Sequence, residues 1–215
     1  EGDRPTTYLK MMSHAAPVNG GVFFGLSGRE YTTSSACTSG SQGSGAAYEA
    51  IRGGKQTVMV AGGAGQLDAT AAAVFDTLFA TSVRNDTPQL TPSPFDVNRD
   101  GLVLGEGACT LILERLDHAL QRGAPILAEI VGYGTNSDGQ HVTQPSAGTM
   151  AEAIQLALDD AGLASEQIDY VNAHGTATDH GDIAESQATA QIFGRRIPIS
   201  SLKSYVGHML GACGA

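Results

Sequence analysis

The stretch "TTSSACTSGSQGSGAAYEA" (32–50) places one cysteine, Cys37, between two segments of opposite character. A β-branched, hydroxyl-rich run comes first and predicts a strand over 29–35. Small residues and "AAYEAIR" follow, and they predict a helix over 38–52 that stops at Gly53. Cys37 therefore lies at a predicted strand-to-helix junction, where backbone N–H groups and the helix dipole favour a thiolate.

The same alternation of strand and helix continues along the chain. Further strands are predicted over 56–63, 102–116, 128–139, 168–176 and 197–201. Further helices are predicted over 67–80, from the end of the strand at 102–116 to Gly123, over 148–162 and 182–193, and from about Gly207. The Pro-, Asp- and Asn-rich region 84–101 predicts a long loop. Strands that alternate with helices of about a dozen residues imply a layered α/β fold with a largely buried sheet. Because no linker interrupts the pattern, we expect one domain over 1–215.

Composition excludes several classes of function. The net charge is −10 and no basic run is present, which argues against binding to nucleic acid or to an anionic membrane surface. No apolar run approaches the roughly 18 residues of a membrane span, so we expect a soluble protein. Three widely spaced cysteines favour reduced thiols and a cytoplasmic location. The chain begins at Glu1 without methionine and ends at "GACGA", from which we expect a fragment of a longer protein.

Two histidines share the sequence context of Cys37. His174, in "NAHGTATDHGDIAE" (172–185), follows a predicted strand and precedes a Gly-Thr turn. His208, in "SLKSYVGHMLGACGA" (201–215), follows another predicted strand and is expected to open a helix of small residues. Taken singly, such a cysteine or histidine more often belongs to a packed core or a cap than to a catalytic site. Three junctions of this kind in one chain favour a functional site.

One cysteine and two histidines on adjacent strand ends indicate acyl chemistry at a thioester. A thiolate would take the acyl group, and two neutral imidazoles would donate hydrogen bonds to a developing enolate oxygen. This combination suits the formation of a carbon–carbon bond better than hydrolysis, which needs one base and one water.

At these motifs the chain resembles the β-ketoacyl-acyl carrier protein synthases, the condensing enzymes of fatty acid and polyketide assembly. The motifs "SSACTSGSQ", "NAHGTAT" and "KSYVGHMLGACGA" stand in the order of the family's three active-site motifs, and the segments between them are also similar. The resemblance covers essentially all of the chain and is nearest to discrete synthases that elongate acyl chains. It implies a thiolase-like αβαβα layered fold, here incomplete, with the end of one half and most of the other.

The resemblance assigns the proposed catalytic groups residue by residue. Cys37 matches the acylated nucleophile, with its backbone N–H as one oxyanion-hole donor. His174 and His208 match the pair that promotes decarboxylation of malonyl carrier protein and stabilises the enolate. Lys203 matches the lysine that orders the site, and Glu185 matches a buried acidic residue linked to that lysine.

The resemblance also implies partners. Thr176 and Thr178 match threonines that hydrogen-bond the phosphopantetheine arm of an acyl carrier protein, with acyl and malonyl thioesters as substrates. No metal and no cofactor is expected beyond the arm that the carrier protein itself brings. The enzyme is expected to be a homodimer, or a heterodimer with a related subunit. Asp179 departs from the family pattern, since proline is common there, but no catalytic group is lost.

Four other readings stay open at this point. A chain-length-factor-like subunit would share the fold but lack the cysteine nucleophile. A metal site from His174, His180, Asp182 and His208 lacks the i, i+4 spacing of a helical site. A dinucleotide site at "GGAGQLD" (62–68) fails to complete its glycine pattern, because Asp68 stands at the last glycine position. A cysteine hydrolase explains neither the second histidine nor Lys203.

Overall fold

The helix that follows Cys37 is formed where the small residues predict it. A computed structural model describes residues 5–140, 144–194 and 196–215. The helices are α1 Pro5–Met11, α2 Ala15–Phe24, α3 Ser39–Arg52, α4 Ala69–Thr77, α5 Leu116–Gln121, α6 Ala147–Ala161, α7 Asp179–Phe193 and α8 Lys203–Val206. The strands are β1 Val58–Gly65, β2 Gly107–Glu114, β3 Val171–Asn172 and β4 Ile199–Ser200, and short 3-10 turns cover Ala36–Thr38, Pro88–Leu90, Ser165–Gln167 and Leu210–Ala212.

The described chain divides into two compact units. One comprises the described residues up to Gly63 together with Cys109–Leu127 and Gly211–Ala215, and the other comprises Ala64–Ala108 and Ala128–Leu210. The prediction of a single domain over 1–215 stays a prediction. Within the part of the chain that the structure describes, no helix combines the length and the apolar character needed to cross a bilayer.

The first unit contains α3 and most of the sheet formed by β1 and β2. Ala47 and Ala50 of α3 are buried, which accounts for the alanine-rich sequence of this helix. The ladder continues past the end of β2, since the Arg115 N–H donates to the Thr57 carbonyl at 2.9 Å.

The second unit packs α6 against α7. Leu158 of α6 and Ala188 and Phe193 of α7 are buried. Helix α6 begins at Ser146, whose hydroxyl caps the Thr149 N–H, and ends at Gly162 in the left-handed conformation. The stop at Gly162 is the one that the sequence predicts, whereas the Ser146 cap is a finding of the structure.

Strands β3 and β4 form a parallel pair in the second unit, with Val171 opposite Ile199 and Asn172 opposite Ser200. The Ala173 N–H extends the ladder by donating to the Ser200 carbonyl at 2.8 Å. Because both strands run in the same direction, the chain leaves them at the same edge. His174 follows one strand and Ser201 follows the other.

Two predicted strands are wrong for the described chain. Residues 29–35 form no strand, because their side chains bond to the start of α3 instead: Thr33 Oγ1 donates to the Ser39 carbonyl at 2.9 Å and Ser35 Oγ lies 2.6 Å from Gln42 Oε1. Residues 128–139 also pair with no strand. They lie along α6, where the Tyr133 N–H donates to Asp160 Oδ2 at 3.0 Å.

The last predicted helix is wrong as well. The chain does not begin a helix at Gly207; instead α8 ends at Val206, and only a 3-10 turn follows at Leu210–Ala212. Between α8 and this turn, His208 forms an isolated parallel β-bridge with Leu104. The other predicted helices and the strand over 56–63 are confirmed, with ends shifted by a few residues.

Candidate active site

Cys37 lies in a tight 3-10 turn, Ala36–Thr38, directly before α3. The turn is closed by the Thr38 N–H and hydroxyl, which donate to the Ser35 carbonyl at 3.2 and 2.9 Å. Ala36 has φ +50°, a conformation that costs energy for any residue with a side chain and that is typical of functional turns. The predicted position of Cys37 at a helix start is confirmed, and the cysteine is half-buried.

Small residues allow the start of α3 to lie against the segment Gly211–Ala215 of the same unit. A Cβ at Gly40 would lie 2.8 Å from the Gly211 carbonyl oxygen, so only glycine fits there. Across this contact the Cys213 thiol donates to the Cys37 carbonyl at 3.3 Å. The backbone of Cys37 is therefore held from both its own turn and a distant segment.

His174 lies just beyond β3, on a turn that α7 holds in place. Its backbone N–H donates to Glu185 Oε1 at 2.7 Å, and the Gly175 N–H donates to Glu185 Oε2 at 2.7 Å. One carboxylate thus satisfies two successive backbone donors. Gly175 has φ +43°, so the turn requires glycine.

Lys203 approaches the same histidine from the other side. Its Nζ donates to the His174 carbonyl at 2.6 Å and lies 3.3 Å from His174 Nδ1. The Ser201 hydroxyl donates to that carbonyl as well, at 3.1 Å. Lys203 is only 6% exposed, and these contacts use the buried ammonium group.

The predicted link between Glu185 and Lys203 takes a form that the sequence did not indicate. Among the described residues no ion pair joins the two side chains. They meet through the backbone of His174 instead, because Glu185 accepts from its N–H and Lys203 donates to its carbonyl.

His208 is almost completely enclosed, with 1% of its surface exposed. Its N–H donates to the Val103 carbonyl at 2.7 Å, and its Nδ1 accepts from the Leu210 N–H at 3.1 Å. Its ring lies edge-on to that of His174, with the centroids 5.3 Å apart. The structure therefore brings His174, Lys203 and His208 together.

Both imidazoles are neutral near pH 7. Burial lowers the pKa of His208 to about 4, with a further contribution from the charge of Lys203. Dense packing around the ring, the charge of Lys203 and the neighbouring His208 lower the pKa of His174 to about 3. Part of His174 is exposed, and solvent there screens the charge of Lys203.

The hydrogen-bond partners also assign the same tautomer to both rings. Nδ1 of His208 accepts from a backbone N–H, and Nδ1 of His174 faces the Lys203 ammonium, which can only donate. In each neutral ring the proton must therefore reside on Nε2. The pair offers two N–H donors and no positive charge of its own.

Glu185 has its pKa raised, chiefly by burial, while the Gly175 and His174 N–H groups and the charge of Lys203 oppose this effect. Nearby Asp182 also raises it. Burial disfavours the charged carboxylate, but that form is the one that accepts hydrogen bonds from both backbone N–H groups and so holds the His174 turn.

Thr176 and Thr178 lie on the loop between His174 and α7. Their hydroxyls are 2.8 Å apart and hydrogen-bond each other. Thr176 is buried, and Thr178 precedes the first residue of α7. Their predicted role in binding the phosphopantetheine arm stays a prediction.

Sequence reasoning missed a second set of contacts on this loop. Asp182, considered only as a ligand in the metal alternative, is 2% exposed and accepts from the Phe95 and Ala177 N–H groups at 2.7 and 3.1 Å. Arg99 lies 3.5 Å from the same carboxylate. A signal was present in "PFDVNRDG" (94–101), where charged residues are dense within a predicted loop.

Two alternatives lose their structural basis. The glycines of "GGAGQLD" lie mostly within β1, where a Cβ at Gly62 would collide with the Cys109 carbonyl of β2, rather than on a phosphate-binding turn. In the metal alternative, Asp182 is occupied by backbone donors. No cluster of three ligand atoms in the described residues includes either Asp182 or His180.

Sequence profiles agree with the geometry. The profile of the β-ketoacyl synthase N-terminal domain matches residues 3–119, and that of the C-terminal domain matches residues 127–215. The chain belongs to the β-ketoacyl synthase family. The family prediction is confirmed.

Individual proteins support this assignment. The chain is 42% identical over 218 residues to the 3-oxoacyl-[acyl-carrier-protein] synthase 2 of Vibrio cholerae, covering 98% of this chain and 52% of that protein. It superimposes on a β-ketoacyl synthase from Burkholderia phymatum with a TM-score of 0.95 and 66% identity, covering 97% of this chain and 51% of that one. A type II polyketide ketosynthase bound to a hexaketide and in complex with its acyl carrier protein gives a TM-score of 0.92 at 37% identity, covering 96% of this chain and 52% of that one.

The fold follows from these similarities. Over the residues that it covers, this β-ketoacyl synthase chain has the thiolase-like α/β fold of the ketosynthases, as predicted. The chain spans about half the length of the curated relatives that it matches.

Proposed function

We propose that the protein is a β-ketoacyl-acyl carrier protein synthase, an acyltransferase that elongates a fatty acid or polyketide chain by decarboxylative Claisen condensation. The observation that supports this most directly is the pair of neutral imidazoles, His174 and His208, each with its proton on Nε2. Two such donors suit an oxyanion that forms during condensation, whereas hydrolysis needs one base.

In the first step Cys37 takes the acyl group. Its thiolate attacks the carbonyl carbon of the acyl thioester, and the bond from that carbon to the sulfur of the arm breaks. The arm leaves as a thiolate and becomes a thiol by taking up a proton from solvent, to which Cys37 had lost its own. The start of α3 favours the thiolate, and the Cys37 N–H supplies one donor to the oxyanion.

In the second step malonyl carrier protein loses its carboxyl group as carbon dioxide. The electron pair of the broken carbon–carbon bond forms an enolate, whose oxygen accepts hydrogen bonds from His174 and His208. The enolate carbon attacks the acyl carbonyl carbon, and the bond to Cys37 sulfur breaks to regenerate the thiolate. Because a cationic imidazole would bind malonyl carboxylate tightly, the neutral state of both rings favours departure of the carboxylate over its retention.

Lys203 and Glu185 act in this scheme through His174. The carboxylate fixes its backbone N–H, and the ammonium fixes its carbonyl and faces Nδ1. The Nε2–H is thereby aimed in one direction.

The partners in this proposal follow the family. Thr176 and Thr178 hydrogen-bond the phosphopantetheine arm of an acyl carrier protein, and the arm is the only cofactor, carried by that partner; no metal takes part. The protein acts in the cytoplasm as a homodimer or as a heterodimer with a related subunit. A net charge of −10 gives no support to a nucleic-acid or membrane partner.

A second candidate is a non-catalytic subunit that resembles a chain-length factor. Such subunits share the fold but lack the nucleophile. The presence of Cys37 together with His174, Lys203 and His208 favours the catalytic reading.

The decisive experiment is acyl transfer to the full-length protein. Incubation with an acyl-carrier-protein thioester should add the acyl mass to the peptide that contains Cys37, and Cys37→Ala should abolish this while Cys109→Ala should not. If wild-type protein gains no mass at Cys37, the synthase reading fails.

A second measurement separates a synthase from a hydrolase. His174→Ala should still accept the acyl group on Cys37 but should lose decarboxylation of malonyl carrier protein, followed as release of carbon dioxide. A hydrolase would instead lose release of the free acid and accumulate the acyl-enzyme.

A further inference from the structure

One arginine of the loop that follows Pro94 makes several contacts with the start of α7. Arg99 Nε donates to the Thr178 carbonyl at 3.3 Å, and Nη2 donates to the Asp179 carbonyl and to Asp179 Oδ1, both at 3.0 Å. Nη1 donates to the Asp96 carbonyl at 3.0 Å within the loop itself. The Arg99 side chain is 12% exposed, and its Nε lies 3.5 Å from the buried carboxylate of Asp182.

The contacts with the start of α7 centre on Thr178, the residue before the helix. The Thr178 carbonyl accepts from Arg99 and also from the Asp182 N–H, at 3.2 Å, which is the first hydrogen bond of the helix. The Thr178 hydroxyl is bonded to that of Thr176. A shift of the Thr178 peptide therefore displaces both hydroxyls.

We infer that Arg99 is a positioning residue for the phosphopantetheine arm, acting through Thr178 and Thr176. This inference rests on the proposed function, in which these two threonines bind the arm. Arg99 itself does not need to touch the substrate: it holds the peptide that carries the threonine hydroxyls.

The geometry explains why an arginine is needed. The acceptors fan out around a planar group with five N–H donors, and a lysine ammonium at one point cannot reach all of them. The Asp179 carboxylate adds little, because its side chain is 77% exposed and an ion pair in contact with solvent is weak. The contacts that matter are the backbone carbonyls and the buried Asp182 carboxylate, which also accepts from the Ala177 N–H of the threonine loop.

The chain offers a matched control in Arg84. This second arginine bonds to the same loop, at the Asn98 carbonyl and at Asp100. Among the described contacts it makes none with Thr178 or with α7. Arg84→Ala therefore perturbs the loop without releasing Thr178.

The test uses butyryl-pantetheine, a substrate that has the arm but no carrier protein, with the full-length protein. Arg99→Ala should raise the KM for transfer of the butyryl group to Cys37 by about tenfold, the usual effect of losing hydrogen bonds from a charged donor. Arg84→Ala leaves the Thr178 carbonyl bonded to Arg99, and Asp179→Ala removes only a carboxylate that is 77% exposed. Each should therefore change this KM by no more than about twofold.

Two further readouts exclude a merely structural effect. Alkylation of Cys37 by iodoacetamide, which has no arm, should proceed at the wild-type rate in Arg99→Ala. Added methylguanidine should lower the KM of Arg99→Ala and leave that of Arg84→Ala unchanged. If Arg99→Ala does not fold, Arg99→Lys replaces it, with a KM between the wild-type value and a tenfold increase.

The outcomes are distinct. A wild-type KM in Arg99→Ala or Arg99→Lys overturns the inference alone, as does an equal loss of butyryl transfer and of alkylation. If wild-type protein reacts with iodoacetamide but accepts no butyryl group from either the pantetheine or the carrier thioester, the proposed function fails and the inference falls with it.

Discussion

Gly175 is the position at which one added methyl group should damage the site most. The residue has φ +43°, and a Cβ there would lie 2.5 Å from Ser201 Cβ and 3.1 Å from Phe95 Cε2. The left-handed backbone costs alanine about 1–3 kcal/mol. The overlap with Ser201, which is buried and cannot swing away, adds about 1–3 kcal/mol. Gly175→Ala should therefore lower the free energy of unfolding by roughly 2–6 kcal/mol.

Chemical denaturation of the full-length protein measures this loss, and Gly194→Ala is the matched control. Gly194 ends α7 with φ +55°, but a Cβ there meets nothing within 4 Å. Gly194→Ala should therefore lower the free energy of unfolding only by the cost of the left-handed backbone, about 1–3 kcal/mol. The difference between the two variants isolates the overlap.

Activity provides a second measure, because the Gly175 N–H and the His174 N–H share the Glu185 carboxylate. Where Gly175→Ala still folds, decarboxylation should fall further than acylation of Cys37. The double variant Gly175→Ala/Ser201→Gly should be less destabilised than the sum of its single changes by about 1–3 kcal/mol. The reasoning is refuted if Gly175→Ala is no more destabilising than Gly194→Ala, or if the two changes at 175 and 201 are additive.

Three further predictions concern protonation and reactivity. Folding lowers the pKa of His174 and His208, so the unfolded chain binds more protons than the folded one below pH 6.5. The free energy of unfolding should therefore fall as the pH drops from 6.5 toward 4. Urea titrations should show a loss of up to roughly 3 kcal/mol from His208 alone. A pH-independent stability over this range would contradict it. Electrophilic thiol reagents should label Cys37 well before Cys109, as mapped by peptide mass, and equal labelling would mean that the thiol is not activated. Glu185→Gln has one acceptor oxygen for two backbone N–H groups, so it should lose about 1–3 kcal/mol of stability, and no loss would show that the second bond is dispensable.

Helices were easier to predict from this sequence than strands because their signals are local. Asp68 caps α4 with its own side chain, accepting from the Thr70 and Ala71 N–H groups, and Gly162 ends α6. Each of these residues acts within a few positions of itself. The pattern of the chain is therefore sufficient to place both helices.

Strands need a partner, and the pattern of one segment does not contain it. The β-branched run at 29–35 has the composition of a strand, but its hydroxyl groups bond to Ser39 and Gln42. The segment 128–139 lies against α6 instead of against another strand. For 29–35 contacts with the nearby start of α3 decide the outcome, and for 128–139 contacts with α6 do. The composition of each segment reveals neither.

The residues of the candidate site show the same difference between local and distant signals. The reactive groups were predicted because each stands at a junction with a readable local signature. Arg99 and Ser201 were missed because their task is defined by a partner, in the one case 79 positions away along the chain and in the other 27. The family resemblance identified Glu185 and Lys203 but not the way in which they are linked. The link runs through the backbone N–H and carbonyl of His174, and backbone groups leave no signature in a sequence.

The two histidines show why such partners matter for the chemistry. Each ring must be neutral and must carry its proton on Nε2, and the structure imposes this state in two different ways. For His208 enclosure removes the charge, and a backbone N–H from Leu210 occupies Nδ1. For His174 burial of the ring contributes most, and the Lys203 ammonium both faces Nδ1 and disfavours a second positive charge. Burial and the charge of Lys203 thus keep both imidazoles neutral, while a different partner at Nδ1 fixes the tautomer of each ring.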